Sequence, residues 1–237
     1  MSVIIRKLNT LIRNPRRAIG GKFRPYQIAK AKAYLDREGA TAFLTAGAET
    51  EIKPQWMNLA ILHRHIRTRR PPVVLEFGVG FSTIAMAHAV AANGFGHLWT
   101  VDTSEKWIEN VRGKLGKLGE AATLTRSDVR VTSVGGQFCH LFEKIPNVVP
   151  DLVYLDGPNP RDALGEINGL TFIDETGANR SVIAADLILL ESTLPQGCKI
   201  VIDGRMNNST FLRANFKRKW RWSFDPVHKI RQVQLLD

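Results

Sequence analysis

Two glycines and an aspartate in this sequence are spaced so that they could bind a ligand containing a nucleoside. Residues 73–83 read VVLEFGVGFST, an apolar run with strand character that passes through Gly78 and Gly80 directly into a helical pattern. Glycines there let the backbone approach a ligand beside the N–H groups of a helix start, which Ser82 is suited to cap. Asp102 lies 22 residues after Gly80, where a carboxylate can accept hydrogen bonds from ribose hydroxyls. A purely structural glycine turn is the alternative.

The charge of Glu76, two residues before the first glycine, indicates which ligand the segment suits. A carboxylate at this place would repel a pyrophosphate, but it would attract a ligand that carries an ammonium and a sulfonium group. The residues therefore favour S-adenosylmethionine (SAM) over a dinucleotide such as NAD.

A second pair of acids follows two later strand-like runs. Asp156 ends the run LVYLD, Asp203 ends the run IVID, and Arg205 follows two residues later. Because parallel strands end at the same edge of a sheet, both carboxylates should face the same ligand. Methyl transfer by in-line displacement needs an aligned nucleophile whose proton is removed or screened. We expect Asp156 to be the base, with Asp203 beside it and Arg205 as an anion partner, unless each acid only caps a turn.

The elements that must position these residues are strands and helices in alternation. The strands are predicted at residues 73–77, 97–101, 129–134, 152–155 and 199–202, with helical stretches between them. Strands that are apolar on both faces and separated by helices indicate βαβ units and a buried parallel sheet. Residues 220–224 and 230–236 flank an Asp-Pro turn and predict an antiparallel pair. The predicted fold class is α/β, a doubly wound, Rossmann-like sheet with an antiparallel last strand.

The N-terminal part of the chain is basic. Residues 1–35 contain nine lysines and arginines and no acidic residue, whereas the whole chain has a net charge of +11. Such a segment favours an anionic partner, which could be a membrane surface, RNA or an acidic substrate. A helix over residues 4–12 would gather its apolar side chains on one face, as in a helix that lies in a bilayer interface, although packing on its own domain is the alternative. These apolar residues are Ile4, Ile5, Leu8, Leu11 and Ile12.

Cysteine content and hydropathy predict a cytoplasmic location. Cys139 and Cys198 form neither a disulfide framework nor a C-x-x-C motif. No apolar run approaches the roughly 20 residues of a membrane span, and the first 20 residues lack the features of a signal peptide. If the basic segment binds lipid, the protein would be peripheral at the inner membrane face.

These motifs together resemble those of the class I SAM-dependent methyltransferases. The E-x-G-x-G segment at residues 76–80 is similar to their first motif, and Asp102 to their acidic residue after strand two. The last strand pair is similar to their antiparallel insertion. The resemblance covers residues 71–237, the predicted methyltransferase domain, and leaves residues 1–70 as a basic helical extension. It implies that SAM binds to Glu76, Gly78, Gly80, Ser82 and Asp102, with Gln137 near the adenine.

The resemblance also carries expectations about the acceptor. Members that methylate amines have Asn or Asp followed by Pro-Pro-aromatic after strand four, whereas this chain has Asp156-Gly157-Pro158. The pattern is closer to the small O-methyltransferases that hold a divalent ion, which implies Mg²⁺ on Asp156 and Asp203, although Gly204 stands where that subgroup often has Asn. We therefore expect O-methylation of a small molecule or glycan precursor. An RNA methyltransferase and a non-catalytic nucleotide-binding or scaffold protein are the alternatives. Residues 159–180 are either an acceptor-side loop or a surface insertion.

Overall fold

The computed structural model describes residues 15–45, 53–226, 228 and 230–237. The predicted amphipathic helix at residues 4–12 lies outside the described residues. The described helices are α1 (Pro15–Arg37), α2 (Thr41–Thr45), α3 (Trp56–Arg69), α4 (Phe81–Asn93), α5 (Glu105–Leu115), α6 (Asp186–Leu190) and α7 (Met206–Asn215). The described strands are β1 (Val73–Phe77), β2 (His97–Asp102), β3 (Ala122–Arg126), β4 (Val129–Val134), β5 (Gln137–Phe142), β6 (Leu152–Leu155), β7 (Ala163–Leu164), β8 (Lys199–Ile202), β9 (Trp220–Asp225) and β10 (Ile230–Leu235).

Seven strands form the central sheet in the order β3-β2-β1-β6-β8-β10-β9. Strands β3, β2, β1, β6 and β8 are parallel, and β10 runs antiparallel to both β8 and β9. The chain builds outward from β1 to β3 and then returns to place β6 on the other side of β1. In such sheets ligands bind beyond the carboxyl ends of the strands where the order reverses, here between β1 and β6.

The sheet separates two hydrophobic cores because successive side chains of a strand point to opposite faces. On one face, Val74 packs in the core that the helices from α1 to α5 cover. On the other face, Leu75 and Phe77 pack in a core with residues of α6 and α7. The described helices of the predicted N-terminal extension thus share a core with the sheet, as Leu35 and Leu62 show. The division at residue 70 stays a prediction.

Residues 129–134 form a strand with the predicted bounds, but the prediction that it belongs to the central parallel sheet is wrong. Strand β3 is the third parallel strand, and β4 belongs to a separate sheet of order β5-β4-β7. The sequence VRVTSV of β4 contains three polar residues and is only partly buried, which suits a sheet with one solvated face. Strands β4 and β5 form an antiparallel hairpin. Among the described residues, no helix is both long and apolar enough to cross a membrane.

Candidate functional site

The loops after β1 and β6 touch through their glycines. The chain turns at Gly78 with a φ of 105°, a conformation that favours glycine, and the Gly78 N–H donates to the Val101 carbonyl oxygen at 2.8 Å. A Cβ atom on Gly78 would lie 2.9 Å from the Gly157 nitrogen, and one on Gly157 would lie 2.8 Å from the Gly78 Cα. Gly80 is different, because a Cβ there would meet no atom within 4 Å. The two loops are in backbone contact, and Gly80 borders open space.

That space is a cavity of about 570 Å³ at the carboxyl ends of β1, β2 and β6. Its volume is within the range of small-molecule binding sites. Six of the residues predicted for the site line the cavity, namely Gly78, Gly80, Ser82, Asp102, Asp156 and Arg205. The sheet therefore brings together groups that are up to 127 positions apart in the sequence.

Asp102 is held rigidly at the wall of this cavity. Its Oδ2 accepts a hydrogen bond from the Val79 N–H at 2.6 Å, and its Oδ1 accepts one from the Ser104 N–H at 2.7 Å. Burial raises the pKa of the Asp102 carboxyl, and these two backbone donors oppose the rise. The Thr103 hydroxyl lies 3.4 Å from Oδ1, while Oδ2 has a further lone pair, so the fixed carboxylate can still accept a hydrogen bond from a ligand hydroxyl.

Glu76 does not line the cavity, which corrects the expectation that it faces the ligand. It shares the face of β1 that α4 covers, where its Oε1 accepts from the Ser82 hydroxyl at 2.5 Å and its Oε2 from the Thr83 hydroxyl at 2.7 Å. The Thr83 hydroxyl oxygen also accepts from the Gly80 N–H at 3.0 Å. Burial raises the pKa of Glu76 to about 8. Glu76 therefore fixes the start of α4 and, through Thr83, the turn at residues 78–80, which we call the glycine loop.

Gln137 does not reach the cavity either. It is exposed at the first position of β5, in the separate three-stranded sheet. It was predicted near the adenine because β4 was assigned to the central sheet. Since β4 and β5 form a hairpin outside that sheet, their turn lies away from the strand ends that line the cavity.

Asp156, Asp203 and Arg205 meet where β6 and β8 end. Asp156 Oδ2 accepts from the Tyr154 hydroxyl at 3.1 Å, and an Arg205 guanidinium nitrogen lies 3.7 Å from Asp156 Oδ1. Burial and the nearby Asp203 carboxyl raise the pKa of Asp156 to about 7, while Arg205 opposes the rise. Asp203 does not line the main cavity; its Oδ1 accepts from the Asn58 amide at 3.1 Å, and it borders a smaller cavity of about 380 Å³.

Three contributing residues were not predicted from the sequence. Asn58 comes from α3 and Tyr154 from the interior of β6, and no local spacing marks either of them. Asp162 lines the cavity and accepts from the Thr103 hydroxyl at 2.6 Å, which ties the loop after β6 to the end of β2. Asn159, Pro160 and Asp162 line the cavity, so the start of the segment predicted as either an acceptor-side loop or a surface insertion faces it.

The acids at this point do not fit the predicted Mg²⁺ site. Both oxygens of Asp156 face donors, Arg205 and the Tyr154 hydroxyl, and one oxygen of Asp203 accepts from Asn58. No group of three or more His, Cys, Asp and Glu residues that could hold a metal occurs in the described part of the chain. Magnesium needs near-octahedral oxygen coordination, and the Arg205 cation beside Asp156 opposes a second cation there.

Comparison with known proteins gives a family match. A family model described as a methyltransferase domain matches residues 75–204. No curated protein sequence gives a significant match to this chain.

Solved structures match the fold at low sequence identity. A putative caffeoyl-CoA O-methyltransferase from Staphylococcus aureus has a TM-score of 0.55 at 11% identity and covers 90% of this chain and 99% of its own. An SAH-bound methyltransferase from Podospora anserina has a TM-score of 0.51 at 14% identity, over 95% and 96% of the two chains. A methyltransferase from Geobacter sulfurreducens also has a TM-score of 0.51, at 12% identity over 88% and 97%.

Proposed function

The chain belongs to the methyltransferase-domain family, and we propose that it transfers a methyl group from SAM to a hydroxyl oxygen of a small molecule or glycan precursor. The observation that carries this proposal is the placement of Asp102 and Asp156 on one cavity beside the glycine loop. Asp102 is positioned for the ribose hydroxyls, and Asp156 for the acceptor. The description of the S. aureus neighbour as an O-methyltransferase supports the choice of oxygen.

The charge of the cavity suits SAM. Its charged lining residues are three acids and two bases, namely Asp102, Asp156, Asp162, Lys53 and Arg205. SAM carries a sulfonium and an ammonium group, so an acidic wall attracts the cofactor, and this attraction weakens when the sulfonium becomes a neutral thioether. The same charge change favours release of the product S-adenosylhomocysteine (SAH).

In the proposed reaction the acceptor hydroxyl lies against Asp156 and in line with the methyl–sulfur bond. The methyl–oxygen bond forms as the methyl–sulfur bond breaks, the bonding pair stays on sulfur, and the hydroxyl proton passes to Asp156. The Arg205 guanidinium, 3.7 Å from Asp156, stabilises negative charge that develops on the acceptor oxygen. Arg205 thus provides the positive charge that a metal ion would otherwise provide. No step in this scheme requires the Mg²⁺ that the resemblance implies.

Cofactor binding is the direct test of the proposal. We expect SAM and SAH to bind in isothermal titration calorimetry, and Asp102→Ala to weaken SAH binding by roughly 1.5–3 kcal/mol, the range for lost charged hydrogen bonds. The matched control is Asp36→Ala, an exposed acid on α1, which should bind SAH as the wild type does. Unchanged affinity in Asp102→Ala would remove the ribose assignment, and tighter binding of NAD than of SAH would contradict the proposal.

We also propose that the basic N-terminal segment holds the protein peripherally on an anionic membrane surface. Nine cationic side chains within residues 1–35 support this, because each one near an anionic leaflet contributes about 1 kcal/mol. The protein should co-sediment with phosphatidylglycerol vesicles but not with phosphatidylcholine vesicles, and binding should fall as salt rises. Deletion of residues 1–14, which leaves α1 whole, should weaken vesicle binding and leave SAH affinity intact. Equal binding to both vesicle types would contradict the proposal.

A further inference from the structure

A second cavity of about 480 Å³ adjoins the proposed reaction site. Arg205 and Pro160 line both cavities, so the second one opens beside the Asp156 carboxylate. Its lining also includes Arg180, which lies between β7 and α6, and the first turn of α7. The reaction site therefore has a neighbouring compartment that is large enough for part of an acceptor.

The charge of this second cavity is opposite to that of the first. The charged side chains that line it are two arginines, Arg180 and Arg205, whereas three acids and two bases, one of them the shared Arg205, line the first cavity. The other polar lining residues are Asn179, Ser181 and Asn207, which can donate hydrogen bonds. The positive end of the α7 dipole adds to this potential. The compartment thus favours an anion, just as the first cavity favours a cation.

Arg180 is fixed in place and still available to a ligand. Its Nε donates to the Thr171 carbonyl oxygen at 3.0 Å, and its backbone N–H donates to the Phe172 carbonyl oxygen at 2.8 Å. The residue is exposed; it interacts electrostatically with Asp174, but among the described residues no carboxylate forms a salt bridge with it. The two terminal guanidinium nitrogens are therefore suited to a planar, two-point contact with an oxyanion.

We propose that the methyl acceptor is a hydroxyl-bearing oxyanion whose carboxylate or phosphate group binds between Arg180 and Arg205. This inference rests on the proposed function. Because one Arg205 nitrogen is 3.7 Å from Asp156, a hydroxyl at Asp156 and an anionic group at Arg205 are close enough to belong to one small molecule in which a few bonds separate them. A phenolic acid, a sugar acid and a sugar phosphate all have this pattern. Arg180 is then a specificity-determining residue of the acceptor site.

The test is a binding comparison of matched anionic and neutral probes on protein already saturated with SAH. The pairs are glucuronate with glucose, glucose 6-phosphate with glucose, and 3,4-dihydroxybenzoate with catechol, titrated calorimetrically at constant ionic strength. We expect at least one anion to bind about tenfold or more tightly than its neutral partner, the effect of one charged hydrogen-bonded contact. Arg180→Gln should abolish this preference, and Arg180→Lys should retain part of it. The matched control is Arg221→Gln, an exposed arginine on β9 that does not line the cavity.

The outcomes separate this inference from the proposed function. SAH saturation is measured first, so a protein that fails to bind SAH counts against the proposed function. If SAH binds, three results overturn the inference: neutral probes that bind as tightly as the anions, an anion preference unchanged in Arg180→Gln, or no binding by any of the anions. Melting temperatures of all variants identify any that fail to fold.

Discussion

Asp156 combines the geometry and the pKa that a general base needs. It lies on the cavity wall, and its raised pKa of about 7 leaves part of it unprotonated at neutral pH while making it basic enough to accept a proton. The sequence could place Asp156 at the correct sheet edge, because a strand end is recognisable from its apolar run. It also predicted Asp203 and Arg205, the charged neighbours that raise and lower this pKa, but not Tyr154, whose hydroxyl donates to Asp156 from within the strand.

We predict that Asp156→Asn keeps SAH affinity and loses methyl transfer by ~10²-fold or more, as expected when a general base is removed. In the wild type, turnover should rise with pH through about 7, because only the unprotonated Asp156 accepts the acceptor's proton. Asp203→Asn removes a neighbouring negative charge that raises this pKa, so the rise in turnover should move to lower pH. Initial rates of the wild type and Asp203→Asn, measured from pH 5.5 to 9, check the rise in turnover and its move to lower pH. Full turnover in Asp156→Asn would place the base elsewhere.

At the scale of elements, the strands that are buried on both faces were predicted in the correct sheet, whereas the partly exposed β4 was predicted with correct bounds in the wrong sheet. Strands β1, β6 and β8 begin and end where the sequence predicts, because a strand in the centre of a parallel sheet consists almost entirely of apolar residues. Strand β3 was missed because it lies at the sheet edge and its sequence ATLTR is partly polar and partly exposed. That omission moved Gln137 into the predicted site. Local patterns identify strands, but neighbours in the sheet depend on packing.

The contact between the loops after β1 and β6 gives a prediction at this scale. We expect Gly157→Ala to destabilise the protein by about 1–3 kcal/mol, the cost of an extra methyl in a filled space, because its Cβ would lie 2.8 Å from the Gly78 Cα. SAH binding should weaken as well, since separating the loops shifts the glycine turn. The control is Gly113→Ala within α5, whose Cβ meets nothing within 4 Å. Urea unfolding and SAH titration measure both effects, and equal stability of Gly157→Ala and Gly113→Ala would disprove the steric account.

At the scale of the whole molecule, the predicted fold class and the methyltransferase assignment are confirmed. They were predictable because many residues indicate the same fold: the apolar strands, the helices between them and the polar residues at the strand ends all predict a parallel sheet with a ligand site at one edge. The net charge was less informative, because it does not show where acidic and basic side chains lie in the folded protein. In the structure, a cavity with three acids adjoins a cavity lined by two arginines, and Arg205 lines both. The net charge of +11 does not predict this separation.

The folded protein also buries ionisable groups whose combined titration sets how stability depends on pH. Burial raises the pKa of Glu76 to about 8 and that of Asp186 to about 7. Burial lowers the pKa of His63 and His140 to about 3 and that of Lys199 to about 8. The histidines add stability as pH rises to their unfolded pKa of about 6.5, and Lys199 adds stability only above pH 8. Between pH 6.5 and 8, the buried acids therefore determine how the free energy of unfolding changes with pH.

We therefore predict that the ligand-free protein loses stability as pH rises from 6.5 to 8. In this window the unfolded carboxyls have already lost their protons while the folded ones still hold theirs, so the folded state binds more protons and the free energy of unfolding falls with pH. Glu76 alone contributes a fall of about 1–2 kcal/mol. Glu76→Gln stays neutral, so its stability should vary less with pH, with the remaining slope due to Asp156 and Asp186. Urea unfolding of both proteins at half-unit pH steps measures the two slopes. A wild-type stability that is constant or rises across the window would contradict the prediction, and equal slopes in the two proteins would show that Glu76 is ionised in the folded protein.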